Sequence, residues 1–234
     1  LAGIILDALG GMGESLLDGD VVVLSQKIVS KAEGRLIPLA DVTPSERAKE
    51  LAQKTGKEPR LTELVLRESN EVLRAVPGVM IVEHKSGVVV ANAGIDQSNI
   101  EEGTKGEGAL LLPEDSDASA ERIRAALVER SGVDVGVVIC DSVGRAWRYG
   151  TVGLGIGCAG LDALWDQRGG TDMFGKVLEV TQMAIADEVA SAANLVMGEA
   201  AEGRPAAIVR GLKTPRNNRN ASVLVRSKDE DLFR

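Results

Sequence analysis

The chain has 234 residues, enough for one large domain or two small ones. Aromatic residues make up 2% and apolar residues 44%, so any core must be assembled from Val, Ile, Leu, Ala and Met. The formal net charge of −8 excludes a general nucleic-acid binder, which shows a basic excess, and makes divalent metal plus a few placed Lys and Arg the expected route to a bound polyanion.

Residues 4–17 read as an amphipathic helix weakened by Gly10, Gly11 and Gly13, followed by a turn at Asp18-Gly19-Asp20. Val21-Val22-Val23-Leu24 is an unbroken apolar run, the pattern of a strand buried on both faces. Ser25 is then placed to cap a helix carrying Lys27 and Lys31. Residues 44–56 and 60–74 read as helices, with Pro44 and Pro59 suited to first turns. Val79 to Glu83 and Gly87 to Asn92 read as two strands of a hairpin, joined by a polar turn holding His84. A helix over 117–130 and a buried strand over 133–140 come next. Residues 150–170 are glycine-rich and then helical near 161–165, with a strand at 177–180. Residues 183–197 give the clearest helix, with Ile185, Val189, Ala193 and Val196 on one face. A strand at 206–210 precedes a basic, Asn-rich loop over 213–221.

Mixed strand and helix order with a hairpin predicts an α+β fold, with mixed sheets and helices packed on them. No GxxxxGK[ST] occurs, which removes a P-loop. No run approaches about 20 apolar residues, so no membrane span is expected. The start has no basic region of the kind a signal peptide carries. Cys140 and Cys158 lack metal or redox spacing and read as reduced packing thiols, which with the missing signal predicts a cytoplasmic protein. His84 is the sole histidine, so histidine triads and His-rich zinc sites are excluded.

Two segments run from an apolar strand into a carboxylate. Val88 to Asp96 ends in a small-residue turn presenting Asp96, and Val137 to Cys140 leads directly into Asp141 and Ser142. Carboxylate and hydroxyl oxygens at a sheet rim suit Mg²⁺ or Mn²⁺, whereas an Asp after a strand also serves as turn former or helix cap. Asn92 and Asn99 lie close by, and Asn99 could donate its amide to a phosphate or a base edge. Gln26, Lys27 and Lys31 sit at or near a helix start, where free N–H groups attract phosphate; a solvated Lys face is the alternative. Arg145 and Arg148 suit a phosphate or carboxylate, and Trp147 either covers a planar ligand or packs. Glu199 is either a third carboxylate meeting the metal or an exposed helix-end acid. Gly155 to Gly160 matches GxGxxG, which keeps open a nucleotide-dependent oxidoreductase; close backbone approach is the other reading.

The chain resembles the coenzyme F420-0:L-glutamate ligase family through Asp20 to Arg35, Ala93 to Asn99, Asp141 to Arg148, Ala184 to Glu199, Ile208 to Leu212 and Asp231 to Arg234. The resemblance runs in order along essentially the whole chain and implies one ligase unit over 1–234 with the family's own fold, neither P-loop nor Rossmann. It implies a ligase that adds L-glutamate to coenzyme F420-0, using GTP, two divalent metals (Mn²⁺ or Mg²⁺) and K⁺, in a homodimer. Carried onto this sequence, it implies metal ligands at Asp96, Asp141, Ser142 and Glu199, and GTP contacts at Gln26, Lys27, Lys31 and Asn99. The stretch Leu195 to Glu202, with Gly198 and Glu199, is implied as the rest of the nucleotide site, and Asp96, Asp141 and Lys31 as the residues carrying the reaction. Two departures stand out: relatives begin with a short strand and Pro-containing loop before the position of Leu1, and Tyr149 stands where Asn is more usual. Some relatives carry a fused flavin-binding domain, and the chain resembles the stand-alone form. A deazaflavin carrier without catalysis is the remaining alternative.

Overall fold

The run Val21 to Leu24 forms the strand at the middle of a four-stranded sheet, and its side chains are buried on both faces, as the unbroken apolar pattern requires. The structure, a computed structural model, describes residues 1–98, 108–215 and 219–232. In chain order the first elements are α1 (Ala2–Gly11), β1 (Val21–Ser25), α2 (Gln26–Ala32), β2 (Leu36–Pro38), α3 (Glu46–Thr55), α4 (Pro59–Arg67), β3 (Ser69–Val76), β4 (Val79–His84) and β5 (Val89–Ala91). There follow β6 (Gly108–Leu110), α5 (Ser116–Ser131), β7 (Gly136–Arg145), β8 (Arg148–Ala159), β9 (Trp165–Asp166), β10 (Gln182–Met183), α6 (Ile185–Met197) and β11 (Ala206–Val209). The α+β class expected from sequence is present, and no described helix is long and apolar enough to cross a membrane.

The chain divides into two compact units. Unit 1 comprises 1–25, 115–142 and 151–224; unit 2 comprises 26–114, 143–150 and 225–234.

In unit 1 the sheet order is β11-β1-β7-β8, with β1 parallel to β7 and antiparallel to β11. Val21, Val23, Val138 and Cys140 face α6 and meet Ile185, Ala186, Val189, Ala190, Ala193 and Met197. This core has no aromatic among its fully buried side chains; Leu, Ile and Val fill it. Truncating a residue such as Leu24, which is fully buried, to Ala should cost about 2–5 kcal/mol. Strand β8 lies at the sheet edge, and α6 covers that edge: Asp187 accepts from Gly155 N–H at 2.9 Å and Ser191 donates to Gly153 C=O at 2.9 Å. A Cβ on Gly155 would come within 2.8 Å of the Ala186 methyl, and Gly153 and Gly157 are tighter still against the backbones of Ala190 and Ser116. The glycine row is therefore a close-packing surface.

In unit 2, β3, β4 and β5 make an antiparallel sheet and β2 pairs with β6. Val65, Met80, Val82 and Ala93 form one cluster, and Leu39, Val42, Leu64, Ala109 and Leu111 another. Ser45 caps α3, accepting from Ala48 N–H at 3.2 Å, so Pro44 lies one position outside the helix. Glu58 caps α4 and Pro59 holds its first position, as expected.

Several expectations are corrected. The helix expected over 60–74 ends at Arg67, and 69–76 is strand β3. The signal for this was Pro77-Gly78: Pro disfavours helix at Val76, and Gly78 with φ of 88° supplies the turn that sets Val76 opposite Val79. The first helix stops at Gly11, as its glycines foretell. His84 is not in a polar turn: it closes β4 and is 3% exposed. Strand β7 runs on to Arg145, and β8 begins at Arg148. No helix forms at 161–165, and 177–180 contributes only an isolated bridge between Thr171 and Val177. On α6, Val196 is exposed and Met197 takes the buried place.

Candidate active site

The longer β7 places Asp141 and Ser142 within a strand, not at its end. Alternation sends them to opposite faces. Ser142 shares the α6 face with Cys140, and Asp141 turns to the other. On the α6 face Ser142 Oγ donates to Glu199 Oε1 at 2.8 Å. The same carboxylate oxygen accepts from Asn194 Nδ2 at 3.0 Å and from Thr151 Oγ1 at 3.4 Å. Asn194 Nδ2 also reaches Ser142 Oγ at 3.1 Å, while its Oδ1 faces Cys140 Sγ at 3.9 Å. A thiol donor on one side and a carboxylate on the other agree on the amide's orientation.

Helix α6 ends at Met197, two residues before Glu199. Gly198, with φ of 78°, turns the chain, and Glu199 comes back toward the strand. Glu199 is exposed just past the helix end, and its carboxylate is held by the strand hydroxyl of Ser142 and the Asn194 amide. Leu195 is 89% exposed on the last turn of α6, and Glu202 accepts from Ala200 N–H at 2.8 Å beyond it.

In unit 2, Lys27 Nζ pairs with Asp96 Oδ2 at 2.7 Å. Asp96 exchanges both backbone hydrogen bonds with Leu110, which fixes its position beyond the turn Asn92–Gly94. Ser98 donates to the same carboxylate from its N–H at 2.6 Å and its hydroxyl at 2.9 Å. Burial alone would raise the Asp96 carboxyl, but bonds from Lys27 and Ser98 outweigh it and hold it below the usual carboxylate range. Gln26 is 1% exposed; its Oε1 accepts from Ser30 Oγ at 2.9 Å, and its Nε2 is buried with no hydrogen-bond partner among the described residues. Lys31 lies exposed on the same helix, and Asn99 falls outside the described residues. Asn92, near Asp96 in sequence, turns inward and accepts from Met80 N–H at 3.1 Å.

Thus Ser142 is brought to Glu199 and Lys27 to Asp96, while Asp141 stands on the far face of β7. Among the described residues no three His, Cys, Asp or Glu side chains gather into a metal site. Unit 1 gathers instead a carboxylate, two hydroxyls and an amide. The carboxylate and two hydroxyls, braced by the Asn194 NH₂ group, are hard oxygen donors that fit Mg²⁺ or Mn²⁺ in kind, since Mg²⁺ is held by one or two carboxylates and keeps waters and substrate phosphates as further ligands. Sequence reasoning missed Asn194 and Thr151. Thr151 was within reach: it stands as far after the turn Ala146-Trp147 as Ser142 stands before it.

Gly155 to Ala159 lie on β8, Gly160 follows its end, and the motif does not open a helix. A dinucleotide fingerprint needs a strand, a turn and a helix N-terminus, so the oxidoreductase reading is overturned.

The F420-0:Gamma-glutamyl ligase family matches residues 1–211 of the chain. A coenzyme F420:L-glutamate ligase of Methanothermobacter thermautotrophicus is 45% identical, over all of this chain and 92% of that protein. The enzymes of that name from Methanocaldococcus jannaschii and Methanopyrus kandleri are 46% and 47% identical, over 93% and 94% of this chain and 85% and 87% of theirs. The chain belongs to this family, and with it to the ligases that form carbon–nitrogen bonds.

Proposed function

We propose that this member of the F420-0:gamma-glutamyl ligase family joins L-glutamate to coenzyme F420-0 through an amide bond, with GTP as phosphoryl donor. The supporting observation is the oxygen cluster of Ser142, Thr151 and Glu199, braced by the Asn194 NH₂ group, a donor set of the kind phosphoryl chemistry uses. The γ-phosphoryl group passes to the terminal carboxylate of the coenzyme's phospholactyl arm; the bond to the β-phosphate breaks and GDP leaves. The glutamate amine attacks the acyl phosphate, phosphate departs, and the amine loses a proton. Repetition on the new γ-carboxylate extends the tail.

Glu199 and Ser142 hold one divalent cation in this reading, and Asp141 and Asp96 serve as the other carboxylate ligands. Bound Mn²⁺ or Mg²⁺ supplies positive charge against the phosphoryl oxygens. Lys27, with Lys31 beside it, binds triphosphate oxygens, and K⁺ adds a monovalent charge. The buried Gln26 amide, whose Nε2 has no partner among the described residues, supports a ligand contact there. The stretch Leu195 to Glu202, with Gly198 and Glu199, borders the nucleotide. Two copies associate as a homodimer, with exposed Ile4 on α1 and Leu195 and Val196 on α6 as apolar contact surface. The place of work is the cytoplasm.

The test is GDP release from GTP with Mn²⁺, omitting glutamate and coenzyme F420-0 in turn. Release that needs both, with a mass gain of one glutamyl residue on the coenzyme, is expected. Coenzyme binding without glutamate-dependent GDP release would return the carrier reading.

A further inference from the structure

The chain has two Trp, one Tyr and two Phe, and it places two of these five at one hairpin tip. Trp147 is 88% exposed and Tyr149 fully so. They belong to the tip of the β7–β8 hairpin, where every residue from Gly144 to Thr151 is exposed. Exposing a large aromatic forgoes its burial energy, and in this chain aromatics are scarce.

The backbone at the same place is also unfavourable. Trp147 has φ of 68°, one of three non-glycine residues with a left-handed backbone among those described. For a bulky side chain this is an outlier, since Cβ crowds the carbonyl. Glycine in the turn would relieve it, and Trp147 touches little that would repay the strain. Strain of this sort is retained where function needs it.

Charge supplies the third observation. Arg145 and Arg148 flank Trp147, both exposed, in a chain of net charge −8. Arg145 Nη1 donates to Gly150 C=O at 3.0 Å, which braces the tip. Among the described residues neither arginine pairs with a carboxylate. Two unpaired guanidinium groups beside exposed aromatic faces suit a planar ring that carries an anionic arm.

We propose that the β7–β8 hairpin tip is the deazaflavin-binding element, with Trp147 and Tyr149 covering the ring and Arg145 and Arg148 meeting the phospholactyl arm. This deepens the ligase reading above and rests on it. GTP shares the chemistry of a planar ring with an anionic arm. The deazaflavin is favoured because Lys27 and Gln26 already offer cationic and amide groups elsewhere in the chain, and the tip adds what an extended ring system needs.

The test is equilibrium binding without metal or glutamate, so that no turnover is involved. The probes are coenzyme F420-0, the same deazaflavin without its phospholactyl arm, and GTP, each on wild type, Trp147→Gly, Trp147→Phe, Arg148→Ala and the control Phe174→Gly. Phe174 is 93% exposed at a different loop. Trp147→Gly relieves the backbone strain, so its folding stability should equal or exceed wild type. Its affinity for both deazaflavins should fall about tenfold or more, with GTP binding unchanged. Trp147→Phe should keep most of the affinity, Arg148→Ala should weaken only the probe bearing the arm, and Phe174→Gly should change nothing. Unchanged deazaflavin binding by Trp147→Gly overturns the assignment, as does loss of GTP binding instead. A shift in oligomeric state assigns the tip to contact between copies and likewise overturns it. Wild type that binds no deazaflavin at all overturns the ligase reading along with this one.

Discussion

One amide ties a strand hydroxyl to a carboxylate from beyond a helix: Asn194 Nδ2 lies 3.1 Å from Ser142 Oγ and 3.0 Å from Glu199 Oε1. Glu199 follows a glycine turn and is exposed, so little else on its own segment orients it. Asn194→Ala should therefore lower GTP-dependent turnover about 10–100-fold, the usual effect of losing a group that orients a metal ligand. The Mn²⁺ concentration for half-maximal activity should rise with it, while the thermal midpoint stays close to wild type. A metal titration superimposable on wild type would remove Asn194 from the site.

Asp20 lies at the entry to β1 and is 1% exposed. Arg210 clasps it with Nε and Nη2, each at 2.9 Å, and Leu17 N–H adds a bond at 2.8 Å. The bonds from Arg210 hold the carboxyl below its usual range against the opposing effect of burial. Asp20→Asn should cost about 2–3 kcal/mol, the lower side of the range for a buried pair, because Arg210 keeps contact with water. That corresponds to roughly 5–10 °C in the midpoint of a domain this size. Since the folded carboxyl is the stronger acid, this stabilisation is full above about pH 4 and is lost as pH falls through the folded value. Wild-type and variant melting curves should converge in acid; a constant gap down to pH 2 would contradict the ionic account.

The elements set by local chemistry were legible in the sequence. Val21 to Leu24 could only be a strand buried on both faces, and Pro59 could only open a helix. Lys27 was readable as a placed charge, although its partnership with Asp96 is long-range and had no local signal. The misplacements share a cause. Segment 69–74 has a helix-compatible composition, and only its pairing with β4 makes it a strand. The glycines of β8 were readable as a close-approach surface, but nothing local reveals that α6 is what lies against them. Glu199 was visible as an acid, but Asn194 looked like one more residue of a helix until the glycine turn brought the two together.

His84 gives a pH-dependence that can be isolated, because it is the sole histidine. Its Nδ1 accepts from Ser86 N–H at 3.0 Å, so the neutral ring carries its proton on Nε2. That nitrogen is buried without a hydrogen-bond partner among the described residues and lies 3.9 Å from Glu68 Oε2. Burial pushes its pKa down; Glu68 opposes this, and Lys85 and Arg35 reinforce it. The unfolded chain takes up this proton near pH 6.5 and the folded chain resists it. Stability is therefore full above about pH 6.5 and declines as pH falls toward the folded value, by at most about 1.4 kcal/mol per pH unit. His84→Gln should flatten the midpoint between pH 7.5 and 5.5. An equal slope in both proteins would assign the loss to carboxylates instead.

The glycine row on β8 makes opposite predictions for packing and for cofactor binding. Gly155 sits where a Cβ would meet the Ala186 methyl at 2.8 Å, with the Ala186 backbone at 2.9 Å. Neither is the end of a flexible side chain, so Gly155→Ala must push α6 away from the sheet edge. That movement would stretch the bond from Gly155 N–H to Asp187 and the bond from Ser191 to Gly153 C=O, both 2.9 Å. Overpacking of this kind costs about 1–3 kcal/mol, or roughly 3–10 °C in the thermal midpoint. Because α6 also carries Asn194, activity should fall in proportion to the displacement even where the variant remains folded at the assay temperature. Placing the same methyl at Gly144, which has nothing within 4 Å of its Cβ position, should leave the midpoint within about 0.5 kcal/mol of wild type. Calorimetry on the two variants distinguishes a packing surface from a flexible loop: equal midpoints would mean that β8 and α6 are not held together at Gly155, and the link from α6 to Glu199 would have to be sought elsewhere.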